Sequence, residues 1–307
     1  MTRSVKAAHM FSESRSRRES QSLFRVLRRH NRAWCISSFI AAAAADPNVL
    51  AIKMTLYRTD EHSPFVRALI AAAEARKQVV CVVELKAPFD EERNILVTRA
   101  MEKAGVHVVY GLVGLKTRTK TTLVVRQEPD GIRCYAHIGR GNYHTQTARL
   151  YTDVGLFTAD PQITGDVVEL FHHLSGRSIK RDDRRLLVAP PNMIGRFHEL
   201  IDRETAHARA GRPAQIVAKM NSLEERTTIA KLYEAGAAGV DIELIVRGFC
   251  CLRPGVTQRS EKIRVSSVVG RFLEHSRIFY FRNGARDPRR DEKNRPAARP
   301  NPAAERD

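Results

Sequence analysis

The sequence predicts an α/β protein built from two similar blocks. Runs rich in Val and Ile alternate with amphipathic helical segments between residues 49 and 281. These runs are nearly continuous in apolar residues, which is typical of strands in a sheet that is covered on both faces. The order of strand, helix and strand occurs twice along the chain, which indicates a duplicated unit.

The first block contains the clearest secondary-structure signals. Predicted helices span 63–77, with Ser63 as N-cap and Pro64 in the first turn, and 89–105, which ends at Gly105. The predicted strands of this block are 49–57, 78–85, 106–113, 121–127 and 132–138.

The second block repeats this plan with a helix at 222–239. Each block has a polar residue, a spacer and a cation just before a strand: Arg118-Thr119-Lys120 in the first and His275-Ser276-Arg277 in the second. We expect these loops to meet across a pseudo-twofold interface and to form a site for a multiply charged phosphate. The predicted strands of this block are 214–220, 241–248, 263–270 and 276–281.

The two ends of the chain have a different composition. Residues 1–20 are rich in Ser and Arg without periodicity and predict a disordered arm, and residues 22–33 predict a short basic helix. The proline-rich end predicts a disordered tail. The predicted organisation is an arm and short helix at 1–32, a first domain at 33–186, a truncated second domain at 187–284 and a tail at 285–307.

The charge of the chain indicates a polyanionic partner. The net charge is +18; residues 1–32 carry nine Lys and Arg against two acids and residues 285–307 carry seven against five, which leaves +9 between them. The folded part is therefore itself basic. Nucleic acid, phospholipid headgroups at a membrane surface and inorganic polyphosphate are all compatible with this charge.

Cysteines and apolar runs indicate a reduced, cytoplasmic protein. The five cysteines are odd in number and lack a Cys-x-x-Cys spacing. The run FIAAAAA at 39–45 is far shorter than the roughly 20 residues that span a bilayer. The basic N-terminus has no following apolar stretch of the kind found in signal peptides.

Three cations on alternate positions form the most informative local pattern. Lys116, Arg118 and Lys120 would point to one face of an extended segment. That face can bind an anion, or it can be a charged strand edge that prevents aggregation. The segment HIGRGNYH at 137–144 has a similar ambiguity, because Gly139 and Gly141 suit either a phosphate cradle or a turn between strands.

Residues 35 to about 284 resemble the C-terminal half of the larger, histidine-dependent bacterial polyphosphate kinase family. The matching stretches are AAAAADPNVLAIKMTLYRT, AGVHVVYGLVGLKT, HIGRGNYHTQTARLYTDVGLFTADP, LIVRGFCCLRPG and IRVSSVVGRFLEHSRIFYF. The resemblance implies two phospholipase-D-like α/β domains related by a pseudo-repeat. It also implies transfer of the γ-phosphate of ATP to polyphosphate through a phosphohistidine, with Mg²⁺ accompanying ATP.

The resemblance also assigns roles to individual residues. It implies that His275 contacts nucleotide phosphates and can protonate a leaving oxygen, that Tyr151 and Arg247 contact the nucleotide phosphates, and that Arg58 lies at the magnesium-phosphate site. Since arginine does not ligate metals, Arg58 is expected to pair with phosphate oxygens beside the ion. Lys120 of the first loop is expected to be a catalytic residue, and Arg277 of the second loop is expected to bind phosphate.

The sequence departs from the family where the chemistry is most demanding. The nucleophilic histidine of the family falls on Arg118, whose guanidinium has no lone pair to attack phosphorus. A second site arginine of the family falls on Pro88. The N-terminal helical domain and the head domain of the family have no counterpart in this sequence.

Three functions therefore compete at this point. The first is a phosphotransferase of the polyphosphate kinase type, impaired at position 118, with ATP and inorganic polyphosphate as partners. The second is a non-catalytic remnant that binds polyphosphate or nucleic acid, and the third, phosphodiesterase action, is disfavoured because it also begins with a histidine nucleophile. Homo-oligomerisation and contact with the inner face of a membrane are compatible with the sequence.

Overall fold

The computed structural model describes residues 3–9, 25–28, 32–57, 63–84, 91–112, 114–144, 150–176 and 184–284. The helices are α1 (Arg32–Ala45), α2 (Pro64–Glu74), α3 (Glu91–Lys103), α4 (Pro161–Leu174), α5 (Met193–Arg209) and α6 (Arg226–Ala237). The strands are β1 (Arg3–His9), β2 (Arg25–Arg28), β3 (Val49–Leu56), β4 (Gln78–Val83), β5 (His107–Val109), β6 (Leu115–Thr117), β7 (Lys120–Glu128), β8 (Gly131–Gly139), β9 (Tyr151–Thr152), β10 (Val154–Thr158), β11 (Leu186–Ala189), β12 (Gln215–Met220), β13 (Asp241–Val246), β14 (Ile263–Ser266), β15 (Leu273–Glu274) and β16 (Ile278–Phe281).

The first block forms a seven-stranded mixed sheet in the order β2-β10-β8-β7-β3-β4-β5. Helices cover both of its faces. This is shown by β4, whose side chains pack in two different hydrophobic cores. Val79, Cys81 and Val83 pack with residues of α1, α2 and α3, whereas Val82 packs with residues of α4. Burial on both faces explains the continuous apolar run of this strand.

The second block forms a four-stranded sheet in the order β14-β13-β12-β16. Strands β14, β13 and β12 are parallel, and β16 is antiparallel to β12. In the first sheet β5, β4 and β3 are likewise parallel, and β7 is antiparallel to β3. Four neighbouring strands in each sheet therefore share one order and one set of directions.

The N-terminal segment differs from its prediction. Arg3–His9 forms β1, which pairs with β11 and β6, where the sequence predicts a disordered arm. Arg25–Arg28 forms β2, antiparallel to β10, where the sequence predicts a helix. Isolated short helices are marginal, and the open edges of strands offer backbone partners that local spacing does not reveal. The predicted tail at 285–307 lies outside the described residues.

The strands and helices predicted between residues 49 and 281 are present, with ends that agree to within about four residues. Ser63 occupies the N-cap position of α2, although its side chain makes no capping hydrogen bond. Gly105 has a φ of +90°, as its place after α3 requires. Helices α1, α4 and α5 and strands β6, β9, β10, β11 and β15 were not predicted from the sequence.

Candidate active site

Two loops that precede equivalent strands line one cleft. Arg118 lies just before β7, whereas His275 and Arg277 lie just before β16. All three residues line the same cleft, whose volume is about 760 Å³. The predicted meeting of the two loops is therefore present in the fold.

Four arginines give this cleft its charge. We call them the cationic cluster: Arg118, Arg140, Arg247 and Arg277, which line the cleft together with His275. The first two come from the first block and the others from the second. Repulsion from neighbouring cations and burial lower the pKa of Arg277 to about 10, with burial the larger cause. Like charges held this close together favour binding of an anion that neutralises them.

Tyr57 organises the three alternate cations of the first loop. The side-chain charges of Lys116, Arg118 and Lys120 lie 5.7, 5.6 and 4.6 Å from the centre of its ring. These distances are typical of cation–π contacts. The three cations therefore share one face, as their spacing predicts.

Lys120 is the most deeply buried of these cations. Its Nζ atom donates a hydrogen bond to the backbone oxygen of Arg118 at 2.8 Å. Burial, followed by repulsion from Arg140 and Arg118, lowers the pKa of Lys120 to about 7, although Asp153 and Glu84 act in the opposite direction. The charge of this side chain is therefore sensitive to pH near neutrality, and to any anion that binds nearby.

His275 is held in place by the first block. Strand β15 pairs in parallel with β9, and the backbone N–H of His275 donates to the oxygen of Thr152 at 3.0 Å. The imidazole stacks on the ring of Tyr151 with 5.1 Å between ring centres and 24° between planes. The preceding residue, Glu274, accepts a hydrogen bond from Lys219 at 2.5 Å. These contacts fix the orientation of the imidazole plane.

The imidazole of His275 is neutral in the ligand-free protein. Burial, followed by repulsion from Arg140, Arg277, Lys120 and Arg247, lowers its pKa to about 3. Its Nδ1 atom is buried and has no hydrogen-bond partner among the described residues. Without a ligand, His275 therefore lacks the extra proton that an acid role requires at neutral pH.

Arg140 and Asp153 are site residues that the sequence analysis missed. Arg140 contributes to the lowered pKa values of His275, Lys120 and Arg277. Asp153 is buried and is the acid that raises the pKa values of Lys120, Arg140 and Arg277. The only signal for Arg140 was its place between Gly139 and Gly141, which has no direct chemical meaning.

The glycines of the 137–144 segment have a packing role. A Cβ atom on Gly139 would lie 2.9 Å from Cε1 of His137, and one on Gly141 would lie 2.9 Å from Oδ2 of Asp153. The absent side chains thus leave room for two buried polar side chains. This packing role is separate from the phosphate cradle and the turn that the sequence suggested.

The other predicted site residues divide into two groups. Arg247 donates to the backbone oxygen of Glu274 at 3.0 Å and lines the cleft beside His275. Arg58, predicted for the magnesium-phosphate site, and Pro88 lie outside the described residues. Within the described part of the chain, no group of three His, Cys, Asp or Glu side chains is arranged to hold a metal ion.

The cleft also has an apolar wall. It is lined by Met193, Ile194 and Phe197 of α5 and by Phe279 and Phe281 of β16. Phe197 and Phe279 have ring centres 4.6 Å apart. A ligand in the cleft therefore meets both a charged and an apolar surface.

Among the described residues, no helix combines the length and the apolar character needed to span a bilayer. Cytoplasmic location and contact with a membrane surface stay predictions from the sequence.

Two family models match most of the chain. The model described as polyphosphate kinase C-terminal domain 1 matches residues 26–180, and polyphosphate kinase C-terminal domain 2 matches residues 186–289. The polyphosphate kinase of Thermosynechococcus vestitus is 60% identical over 259 residues, which cover 84% of this chain and 35% of that protein. That of Streptomyces coelicolor is 55% identical over 249 residues, covering 81% and 33%. The chain thus spans about a third of the length of these curated relatives.

Solved structures give a consistent result. The crystal structure of polyphosphate kinase from Porphyromonas gingivalis matches with a TM-score of 0.79 and 39% identity, covering 86% of this chain and 44% of that one. Phosphatidylserine synthase from Haemophilus influenzae matches with a TM-score of 0.50 and 10% identity, covering 84% and 75%. The second likeness concerns the fold alone and supports a mixed α/β architecture.

Proposed function

The chain belongs to the polyphosphate kinase family, and we propose that it acts as a phosphotransferase of that type on ATP and inorganic polyphosphate. The observation that carries this proposal is the cationic cluster, in which both blocks contribute charges to one cleft beside a neutral imidazole. Phosphoryl transfer depends on positioning and on neutralising the phosphate oxygens. The four arginines are suited to both tasks, because guanidinium groups bind phosphate in a bidentate manner.

We further propose that Mg²⁺ reaches the site with ATP. Mg²⁺ in such sites is held largely by phosphate oxygens and water, with one or two carboxylates. Asp153 is the buried acid that interacts with three cations beside the cleft, and a cluster of acids is not required. The bound ion would neutralise charge on the transferred phosphate.

The proposal includes a duplicated, phospholipase-D-like origin for the two blocks. The shared order and directions of four strands in each sheet support it. So do the equivalent places of Arg118-Thr119-Lys120 before β7 and His275-Ser276-Arg277 before β16.

Arg118 makes transfer through its own position impossible. A guanidinium stays protonated and has no lone pair for attack on phosphorus. We therefore propose that the activity lies several orders of magnitude below that of a chain with histidine at this position, as is usual when a nucleophile is removed (roughly 10³-fold or more).

The same substitution supports a second candidate function. Arg118 adds a fixed positive charge to the cleft and removes a nucleophile, which is what a binding protein for polyphosphate or nucleic acid would retain. This alternative predicts binding that weakens steeply as salt rises from about 50 mM to about 200 mM. Affinity that stays constant over this range would exclude it.

The decisive experiment uses labelled ATP, Mg²⁺ and polyphosphate with the full chain and its Arg118→His variant. If the chain is a polyphosphate kinase, the variant should transfer phosphate at least about tenfold faster, because an imidazole replaces a group that cannot attack. Arg264→His, at an exposed position of β14, is the matched control and should leave transfer unchanged. Absence of chain elongation and of acid-labile phosphoprotein in every variant would contradict the proposal.

A further inference from the structure

We propose that His275 is the phosphoryl acceptor of this chain and takes over the chemistry that position 118 has lost. The inference rests on the phosphotransferase function proposed above and deepens it by naming the reacting group. Five observations carry it: the place of His275 in the cleft, the state of its ring, its fixed orientation, the cations around it and the chemistry of Arg118.

His275 is the one histidine among the described residues that line the cleft. The hydroxyl groups there are engaged, since the Thr228 hydroxyl donates to Glu225 at 2.6 Å and Ser222 Oγ bonds with Asn221 at 3.0 Å. A hydroxyl must also lose its proton before it attacks, whereas a neutral imidazole already has a lone pair. Of the groups that face the cleft, the imidazole is thus the one ready to form a covalent bond.

The surroundings of His275 keep that lone pair available. Burial, followed by repulsion from cations of both blocks, keeps the ring neutral in the ligand-free protein. When a polyphosphate or nucleotide binds, its negative charges offset this repulsion, and the basicity of the ring rises at the moment when attack takes place. The same arginines contact the phosphate oxygens and stabilise the charge that develops during transfer.

The ring is also held in a defined orientation. It stacks on Tyr151, and its backbone N–H is fixed to Thr152. Because Nδ1 is buried, we take Nε2 as the nitrogen that meets a ligand in the cleft. Fixed orientation of a nucleophile lowers the barrier, because the entropy of alignment is lost during folding and not during the reaction.

The proposed reaction has two steps. In the first, the Nε2 lone pair attacks the γ-phosphorus of ATP, an N–P bond forms, the bond to the β,γ-bridging oxygen breaks, and ADP leaves with that electron pair. Nδ1 keeps its proton throughout, so the phosphorylated ring is cationic. In the second, a terminal oxygen of polyphosphate attacks the same phosphorus, the N–P bond breaks, and its electron pair returns to the ring, which leaves as a neutral imidazole.

The test is to locate the phosphoryl group. The full chain is incubated with ATP labelled at the γ-phosphate and Mg²⁺, quenched in base and mapped by mass spectrometry under conditions that preserve phosphohistidine. We expect an acid-labile label on His275 that falls at least about tenfold in His275→Gln. His107→Gln, on exposed β5, is the matched control and should keep the full label.

A rescue experiment separates a reacting group from a structural one. In His275→Ala, added imidazole should restore part of the ATP-dependent transfer, and binding of ATP and tripolyphosphate shows that the cleft of each variant is folded. Transfer that proceeds equally well in His275→Gln, or a label that maps elsewhere, overturns the inference and leaves the phosphotransferase function standing. Bound ATP and polyphosphate without any label also overturn it. Failure of both ligands to bind would overturn the proposed function itself.

Discussion

At the scale of single residues, Lys120 is a buried cation whose charge is electrostatically unfavourable in the ligand-free site. Its ammonium group is buried beside Arg118 and Arg140, and burial is the largest reason for its lowered pKa. A buried cation among cations costs stability unless an anion binds. We interpret this arrangement as a binding site whose electrostatic energy becomes favourable only when phosphate is present.

This interpretation makes the stability of the chain depend on the protonation of Lys120. The folded-state pKa of about 7 lies below the ordinary value of 10.5, so between these values the unfolded chain binds more protons. Stability should therefore rise as the pH increases from about 7 to about 9. Chemical denaturation of the full chain at both pH values should show this rise, and Lys120→Met should reduce it.

Lys103→Met is the control for that measurement, because Lys103 is exposed at the end of α3. An equal rise in the full chain and in Lys120→Met would show that Lys120 does not have a lowered pKa.

At the scale of elements, strands β8 and β10 are joined around a buried histidine. His137 on β8 bonds through Nδ1 to the hydroxyl of Tyr143 at 2.8 Å, and that hydroxyl also accepts from Thr122 at 3.2 Å. Gly155 on the neighbouring strand lies opposite Gly139 and leaves space for the same ring. Small residues on two adjacent strands thus admit one large polar side chain behind the site.

Gly155→Ala should therefore destabilise the fold. The new Cβ atom would lie 2.6 Å from Nε2 of His137, and overpacking of this kind costs about 1–3 kcal/mol. Gly165→Ala is the control, since Gly165 is exposed in α4 with open space around it; that change should stabilise the helix by about 0.5–1 kcal/mol. Thermal unfolding of both variants checks the pair. Equal melting temperatures for the two variants would contradict the packing described here.

At the scale of the whole molecule, the site depends on contact between the two blocks. Arg118 and Arg140 belong to the first block, and Arg247, His275 and Arg277 belong to the second. The short pairing of β9 with β15 connects the blocks directly beside the imidazole. Each block alone supplies two of the four arginines, and together they bring all four to one cleft.

The sequence predicted the two loops because their chemistry follows a local pattern. Arg118-Thr119-Lys120 and His275-Ser276-Arg277 have the same spacing before a strand, and the strands themselves follow from their apolar runs. Arg140 and Asp153 could not be found in this way, because they join the site only through the pairing of β8 with β10. Arg140 and Asp153 come to the site through the three-dimensional fold, and their spacing along the chain gives no sign of it.

Edge strands and helices that depend on distant partners were the other elements missed. β2 pairs with β10 across a separation of more than a hundred residues, and its own residues resemble a short helix. α1 contains the run FIAAAAA, which the sequence shows as apolar but which has little periodicity to identify a helix face. Tertiary contacts determine the conformation of both β2 and α1. These contacts cannot be inferred from the local sequence of either element.

The most direct test of the central claim is a crystal structure of the chain with bound tripolyphosphate. If the two blocks form one phosphate-binding cleft, a single ligand should contact Arg118 or Arg140 from the first block together with Arg247 or Arg277 from the second. A ligand bound by one block alone, or bound outside the cleft, would contradict the account.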